Sequence, residues 1–139
     1  MGAKDVMFLF DTDTITNIVK PRPSLNLLKR LEKTTKNQQY VSTITISEIV
    51  YGAEKSQRPD YHLNNLETVL LPAVNIIGFD TKAAYVCGRI RAELEKRGTP
   101  LDLADLEIAS IAIANNLTLV TNNVRRFERV PLLQYENWL

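Results

Sequence analysis

Apolar positions along the chain follow two periods. Val6-Met7-Phe8-Leu9-Phe10 is a run of five apolar residues closed by Asp11, the length and character of a strand buried on both faces in a parallel sheet. Residues 14–20 predict a short helix that Pro21 and Pro23 interrupt. A second helix from Ser24 sets Leu25, Leu28 and Leu31 at helical spacing. Residues 33–39 are its polar end and lead to a short strand ending at Val41, after which Ser42 and Thr43 are placed to cap a helix over 45–55. That helix gathers Ile46, Ile49, Val50 and Ala53 into one stripe and leaves Glu48 outside it, beside Ser47 and Tyr51. A polar break at 57–60 precedes a helix carrying Leu63, Leu66, Val69 and Leu70 as far as Pro72.

Residues 74–79 form a second β-prone run, and Asp80-Thr81 caps a long amphipathic helix that stops at Gly98. An apolar helix then runs from Asp102 to Asn116, followed by a strand over 117–121, Asn122, Asn123, a basic stretch, and Tyr135 to Trp138. Strands alternating with helices predict an α/β fold, a mainly parallel sheet covered on both faces. A single domain over residues 1–139 is expected.

Composition changes this picture little. With 139 residues, 45% hydrophobic and 24% charged, the chain can build one core. It lacks a membrane-length apolar run and a signal-peptide pattern, so a cytoplasmic protein with no membrane contact is expected. Cys87 is the one cysteine and falls among Ala83, Ala84, Val86 and Ile90, which makes it a core residue. His62 is the one histidine and stands alone, so neither a Ser-His-Asp arrangement nor a Cys/His zinc set is available. The net charge of +1 requires any basic surface to be local.

Candidate chemistry lies with the acids. Asp11 closes a strand at the edge where open α/β sheets bind ligands, and a carboxylate there points to a cation. The simpler alternative has Asp13 capping the next helix and Asp11 assisting the turn. In the helix from Asp102, Glu107, Ser110 and Ala114 share one side, expected to be the more exposed, while Asp105 falls nearly opposite, among Ile108, Ala109 and Ala112. A carboxylate buried there must be protonated, hydrogen-bonded or bound to a cation. Asp102 as N-cap, with Asp105 in the first turn, is the competing structural account.

Four segments in order, Phe10-Asp11-Thr12-Asp13, Thr45-Ile46-Ser47-Glu48-Ile49-Val50-Tyr51-Gly52, Ala104-Asp105-Leu106-Glu107-Ile108-Ala109 and Leu119-Val120-Thr121-Asn122-Asn123, resemble the signatures of PIN-domain ribonucleases. The similarity is strongest to VapC-type toxins of toxin–antitoxin pairs and extends to the ending Phe127-Glu128-Arg129-Val130-Pro131 through Glu136-Asn137-Trp138. It implies a PIN-like three-layer sandwich, a five-stranded mainly parallel sheet between helices, and Mg²⁺- or Mn²⁺-dependent endonucleolytic cleavage of RNA. Carried over by position, it implies Asp11, Glu48, Asp105 and Asn123 as catalytic residues, with Asp11 and Asp105 as metal ligands. Two positions depart from the pattern: Asn123 stands where some relatives have a fourth acid, and Arg126 lies where relatives often carry an acid shortly afterwards.

The implied chemistry is phosphodiester hydrolysis, in which two carboxylates and waters suit a hard divalent ion. Glu48 would orient or deprotonate a water, Thr12 and Thr121 would supply hydroxyls that orient one, and Asn123 would hold a metal-bound water. Arg125, Arg126 and Arg129 are candidates for gripping the RNA backbone. The resemblance also implies a small protein antitoxin and a homodimer, for which the rows Leu63, Leu66, Leu70 and Leu25, Leu28, Leu31 are candidate surfaces. A PIN-fold binding module without strong catalysis is the main alternative. A phosphatase or receiver-like domain is weaker, because no acceptor Asp with a suitably placed Lys is seen.

Overall fold

The computed structural model describes residues 6–139. Five strands, β1 (Phe8–Phe10), β2 (Gln39–Ser42), β3 (Asn75–Ile77), β4 (Thr118–Val120) and β5 (Tyr135–Glu136), form one sheet in the order β3-β2-β1-β4-β5. Every neighbouring pair is parallel, with Leu9 opposite Tyr40 on one side and Leu119 on the other. The chain builds outward from β1 to β3, then returns across the sheet to place β4 on the free side of β1. The strand order therefore reverses between β1 and β4, and the crevice of such a sheet opens there, beyond the carboxyl ends of those two strands.

Seven helices, α1 (Thr12–Asn17), α2 (Leu25–Glu32), α3 (Thr43–Lys55), α4 (Pro59–Asn65), α5 (Thr81–Lys96), α6 (Leu103–Ala114) and α7 (Val124–Phe127), connect the strands. Period-2 alternation divides the core between the two sheet faces. Leu9 and Leu119 pack with Ile90, Leu94, Leu106, Ile108 and Ile111 of α5 and α6. Phe8, Phe10, Val41 and Val120 pack with Ile15, Leu27, Leu66, Leu70 and Trp138. Helices on both faces of a parallel sheet give the three-layer sandwich that the resemblance implies.

Local chemistry accounts for most element boundaries. Ser24, Ser42 and Asp80 accept from the backbone N–H groups of Leu27, Thr45 and Ala83, capping α2, α3 and α5. Gly98 has φ +73°, which ends α5 as a left-handed residue. Cys87 is buried in the core. Among the described residues, no helix is long and apolar enough to cross a membrane.

Several expectations are corrected. The first strand begins at Phe8, with Val6 and Met7 exposed beside it. The helix expected to run to Pro72 is α-helical only to Asn65, then widens into a π turn at Leu66–Leu70 and a 3-10 turn at Leu71–Ala73, consistent with proline lacking the N–H that a helix interior requires. Leu66 and Leu70 are core residues, so that row is mostly taken up internally. In α2 the buried leucine is Leu27, while Leu25 is 73% exposed. The α6 face bearing Ser110 and Ala114 is not the open side, because α6 is apolar nearly all round and both residues are buried. The Ser110 hydroxyl donates to the Leu106 carbonyl at 2.6 Å, which satisfies it without solvent.

Candidate active site

Asp11 is fixed from three directions at the reversal point. Its N–H donates to the Val120 carbonyl of β4 at 2.9 Å. Its Oδ1 accepts from the Thr12 N–H at 2.8 Å, making Asp11 the N-cap of α1 in place of Asp13. Its Oδ2 accepts from the Thr121 hydroxyl at 2.8 Å. The carboxyl is buried, and its pKa is raised from the ordinary 3.8, first by loss of hydration. The bonds from Thr121 and Thr12 pull the pKa back down, while the charges of Asp105 and Asp13 push it up further.

Asp105 stands in the first turn of α6, after the N-cap Asp102, whose side chain makes no capping hydrogen bond. It is buried, as its position opposite Glu107 predicts. Burial raises its pKa, the Arg126 guanidinium lowers it, and Asp102 and Asp13 raise it again. Arg126 Nη1 donates to Asp105 Oδ2 at 2.7 Å. Arg126, a candidate for gripping the RNA backbone, thus has its guanidinium seated on a carboxylate of the site in this structure. Asp105, Asp102 and Asp11 all favour its charged form.

Glu48 is exposed on α3, off the apolar stripe, as expected. The Thr12 hydroxyl donates to its Oε1 at 2.7 Å and lies 3.2 Å from the Thr45 hydroxyl. Thr45 in turn lies 3.3 Å from Ser42 Oγ, which accepts from the Thr45 N–H. The start of α1 thus ties Glu48 to the end of β2. This relay through buried Ser42 and Thr45 was not anticipated from the sequence, where Ser42 read as a helix cap and Thr45 as the start of the helix and of the second family-like segment. Asn123 donates from its N–H to Thr121 Oγ1 at 3.0 Å and from Nδ2 to Asp13 Oδ2 at 3.2 Å, so it sits at the same edge with its side chain turned to an acid.

The arrangement is an edge of carboxylates held by threonines. Among the described residues, no three His, Cys, Asp or Glu side chains close into a ligand set, so Asp11, Glu48 and Asp105, the catalytic acids that the resemblance implies, do not close around one point. Asp105 is turned to Arg126 and Glu48 to Thr12. Asp11 and Asp105 remain the coupled pair, since the charge of Asp105 acts on the titration of Asp11. Their donors are all hard oxygens, which suit a Mg²⁺-type ion that keeps several waters. Beside them opens a groove of ≈ 570 Å³ lined by Asn122, Asn123, Arg125, Arg126, Arg129 and Asn137. Arg129 is partly committed there, donating to the Pro100 carbonyl at 3.1 Å.

Comparison with known proteins bears on this edge. The PIN domain family model matches residues 8–133. The chain is 38% identical over 131 residues to a protein of Salmonella typhimurium named tRNA(fMet)-specific endonuclease VapC, covering 94% of this chain and 97% of that protein. It is 38% identical over 132 residues to Ribonuclease VapC2 of Haemophilus influenzae, covering 95% and 98% respectively. Among solved structures it resembles a chain of VapBC2 from Rickettsia felis bound to a promoter DNA fragment, with a TM-score of 0.88, 34% identity and coverage of 96% and 100%. DNA-bound VapBC from Salmonella typhimurium is similar at a TM-score of 0.85, 35% identity and coverage of 97% and 100%.

Proposed function

Because the chain belongs to the PIN-domain family and, within it, to the VapC ribonucleases, we propose that it hydrolyses RNA on a divalent cation, Mg²⁺ or Mn²⁺, held by Asp11 and Asp105. The observation that carries this reading is the pair itself: two buried acids at the strand-order reversal, their pKa values raised by burial and by neighbouring acids. A positive ion relieves that repulsion. When bound, such an ion supplies a more acidic water and neutralises charge on the phosphate oxygens.

The chain's own residues divide the remaining work. Thr121 and the Thr12 N–H orient Asp11. Glu48, exposed and steadied by the Thr12 hydroxyl, takes a proton from the attacking water as its oxygen bonds to phosphorus and the P–O bond to the leaving ribose breaks, the ribose oxygen taking its proton from solvent water. Asn123 positions water through its amide oxygen, its Nδ2 being occupied by Asp13. Arg125, exposed in the basic groove, receives the RNA backbone.

The role is that of the toxin in a toxin–antitoxin pair. A small protein antitoxin is the partner, as in the VapBC assemblies that the chain resembles. A groove of ≈ 380 Å³ lined by Val19, Ile49, Tyr61 and Leu70, among others, offers it an apolar seat. A homodimer and a cytoplasmic location complete the proposal.

The test is cleavage of tRNA(fMet), the substrate named for the Salmonella relative, and of an unrelated RNA, with Mg²⁺ or Mn²⁺ and then with EDTA. Cleavage that needs the ion and disappears in Asp11→Asn is expected, and cleavage unaffected by both contradicts the reading. The alternative of a binding module without turnover draws on Arg126 seated on Asp105. RNA bound but left intact under every ion condition would select it.

A further inference from the structure

Arg126 is the cation that the acid edge already contains. Its Nη1 lies 2.7 Å from Asp105 Oδ2, and the fields of Asp102 and Asp11 also reach it. The two partners differ in exposure: the Asp105 side chain is 11% exposed and that of Arg126 45%. Asp105 is thus fixed in the protein, whereas the guanidinium approaches from solvent on α7, a four-residue helix. No hydrogen bond other than the one to Asp105 holds the Arg126 side chain among the described residues, so releasing it breaks a single contact. Arg126 also lines two openings, the basic groove with Arg125 and Arg129, and a smaller one with Pro100, Leu101, Asp102 and Arg129. A guanidinium released from Asp105 has both spaces to move into without disturbing the core.

We propose that Arg126 is an exchangeable counter-cation of the site, which occupies Asp105 in the metal-free protein and gives it up to a divalent ion. This rests on the reading of Asp105 as a metal ligand. The guanidinium at 2.7 Å engages Oδ2 of Asp105 and sets a positive charge against the carboxylate that would ligate a divalent ion, so the ion and Arg126 compete electrostatically for Asp105. Metal affinity is lowered by the strength of the pair. Once released into the groove, Arg126 is a cation placed for a backbone phosphate, so metal binding prepares the RNA contact.

The experiment is calorimetric titration of Mn²⁺, without RNA, into the wild-type protein, Arg126→Gln and Arg125→Gln. Arg126→Gln is expected to bind Mn²⁺ on the order of tenfold more tightly, which corresponds to about 1.4 kcal/mol. Arg125→Gln, which removes a charge at the groove without touching Asp105, is expected to change the affinity less than twofold. Equal affinity in wild type and Arg126→Gln, weaker binding by Arg126→Gln, or equal tightening by both variants overturns the exchange. Absence of Mn²⁺ binding in all three proteins strikes the metal reading itself and takes this inference with it. If Arg126→Gln does not fold, the Arg126 side-chain 15N resonance of the wild-type protein reads the same event. Saturating Mg²⁺ is expected to shift it and speed its hydrogen exchange, and an unmoved resonance in a protein that binds Mg²⁺ overturns the proposal.

Discussion

The Thr121 hydroxyl, at the end of β4, donates to Asp11 Oδ2, at the end of β1, over 2.8 Å. Both groups are buried, and the bond crosses the point where the strand order reverses. Thr121→Val keeps the shape and removes the donor, leaving a buried carboxylate oxygen unsatisfied. We expect a loss of about 1–3 kcal/mol in denaturant unfolding at neutral pH, together with lower cleavage. Thr121→Ser should retain most of both.

Glu48 offers the opposite combination. It is exposed, and glutamine keeps an acceptor oxygen for the Thr12 hydroxyl, so Glu48→Gln should change stability by less than about 0.5 kcal/mol. As the proton acceptor its loss should lower cleavage by on the order of 10²-fold or more. Matched thermal melts and single-turnover cleavage check the separation, and a variant with normal turnover removes Glu48 from the chemistry.

Asp105→Asn removes a charge whose burial outweighs the help of Arg126, since the net effect on its pKa is upward. The metal-free variant should therefore match wild-type stability within about 1 kcal/mol, while cleavage is lost. Thermal melts in EDTA and RNA assays in Mg²⁺ measure the two effects.

The pKa values of Asp11 and Asp105 are both raised in the fold above the ordinary 3.8. A raised carboxyl pKa means that the folded protein binds protons more readily than the unfolded chain. The associated stability is fully present below 3.8 and is lost as pH rises through the folded values. Metal binding requires the ionised forms and therefore strengthens over the same interval. Denaturant melts of the wild type and of an Asp11→Asn/Asp105→Asn double variant should differ least at low pH, with the wild type losing ground as pH rises. Mn²⁺ should reverse that loss in the wild type alone.

How far the sequence revealed this site depended on the kind of signal each residue carries. Asp11 was legible because a five-residue apolar run ends on it, and Asp105 because helical spacing placed it among apolar neighbours that the structure does bury. The parallel sheet followed from strands alternating with helices, but β5, two residues long, has no periodicity to read. The exposed side of α6 was misassigned because a serine bonded to its own helix can be buried at little cost, which a polar-versus-apolar pattern does not register. The seat of Arg126 on Asp105 was hidden because it joins residues 21 apart in sequence. The resemblance placed both near one edge and was silent about which groups would touch.

The central claim is that Asp11 and Asp105 hold the ion that makes RNA hydrolysis possible. Anomalous diffraction from crystals soaked in Mn²⁺ tests it most directly. The account predicts a peak at direct bonding distance, about 2.0–2.2 Å, from carboxylate oxygens of both residues, with the Arg126 guanidinium no longer on Asp105. A fully occupied peak away from both carboxylates, or none while Arg126 remains in place at saturating Mn²⁺, would contradict it.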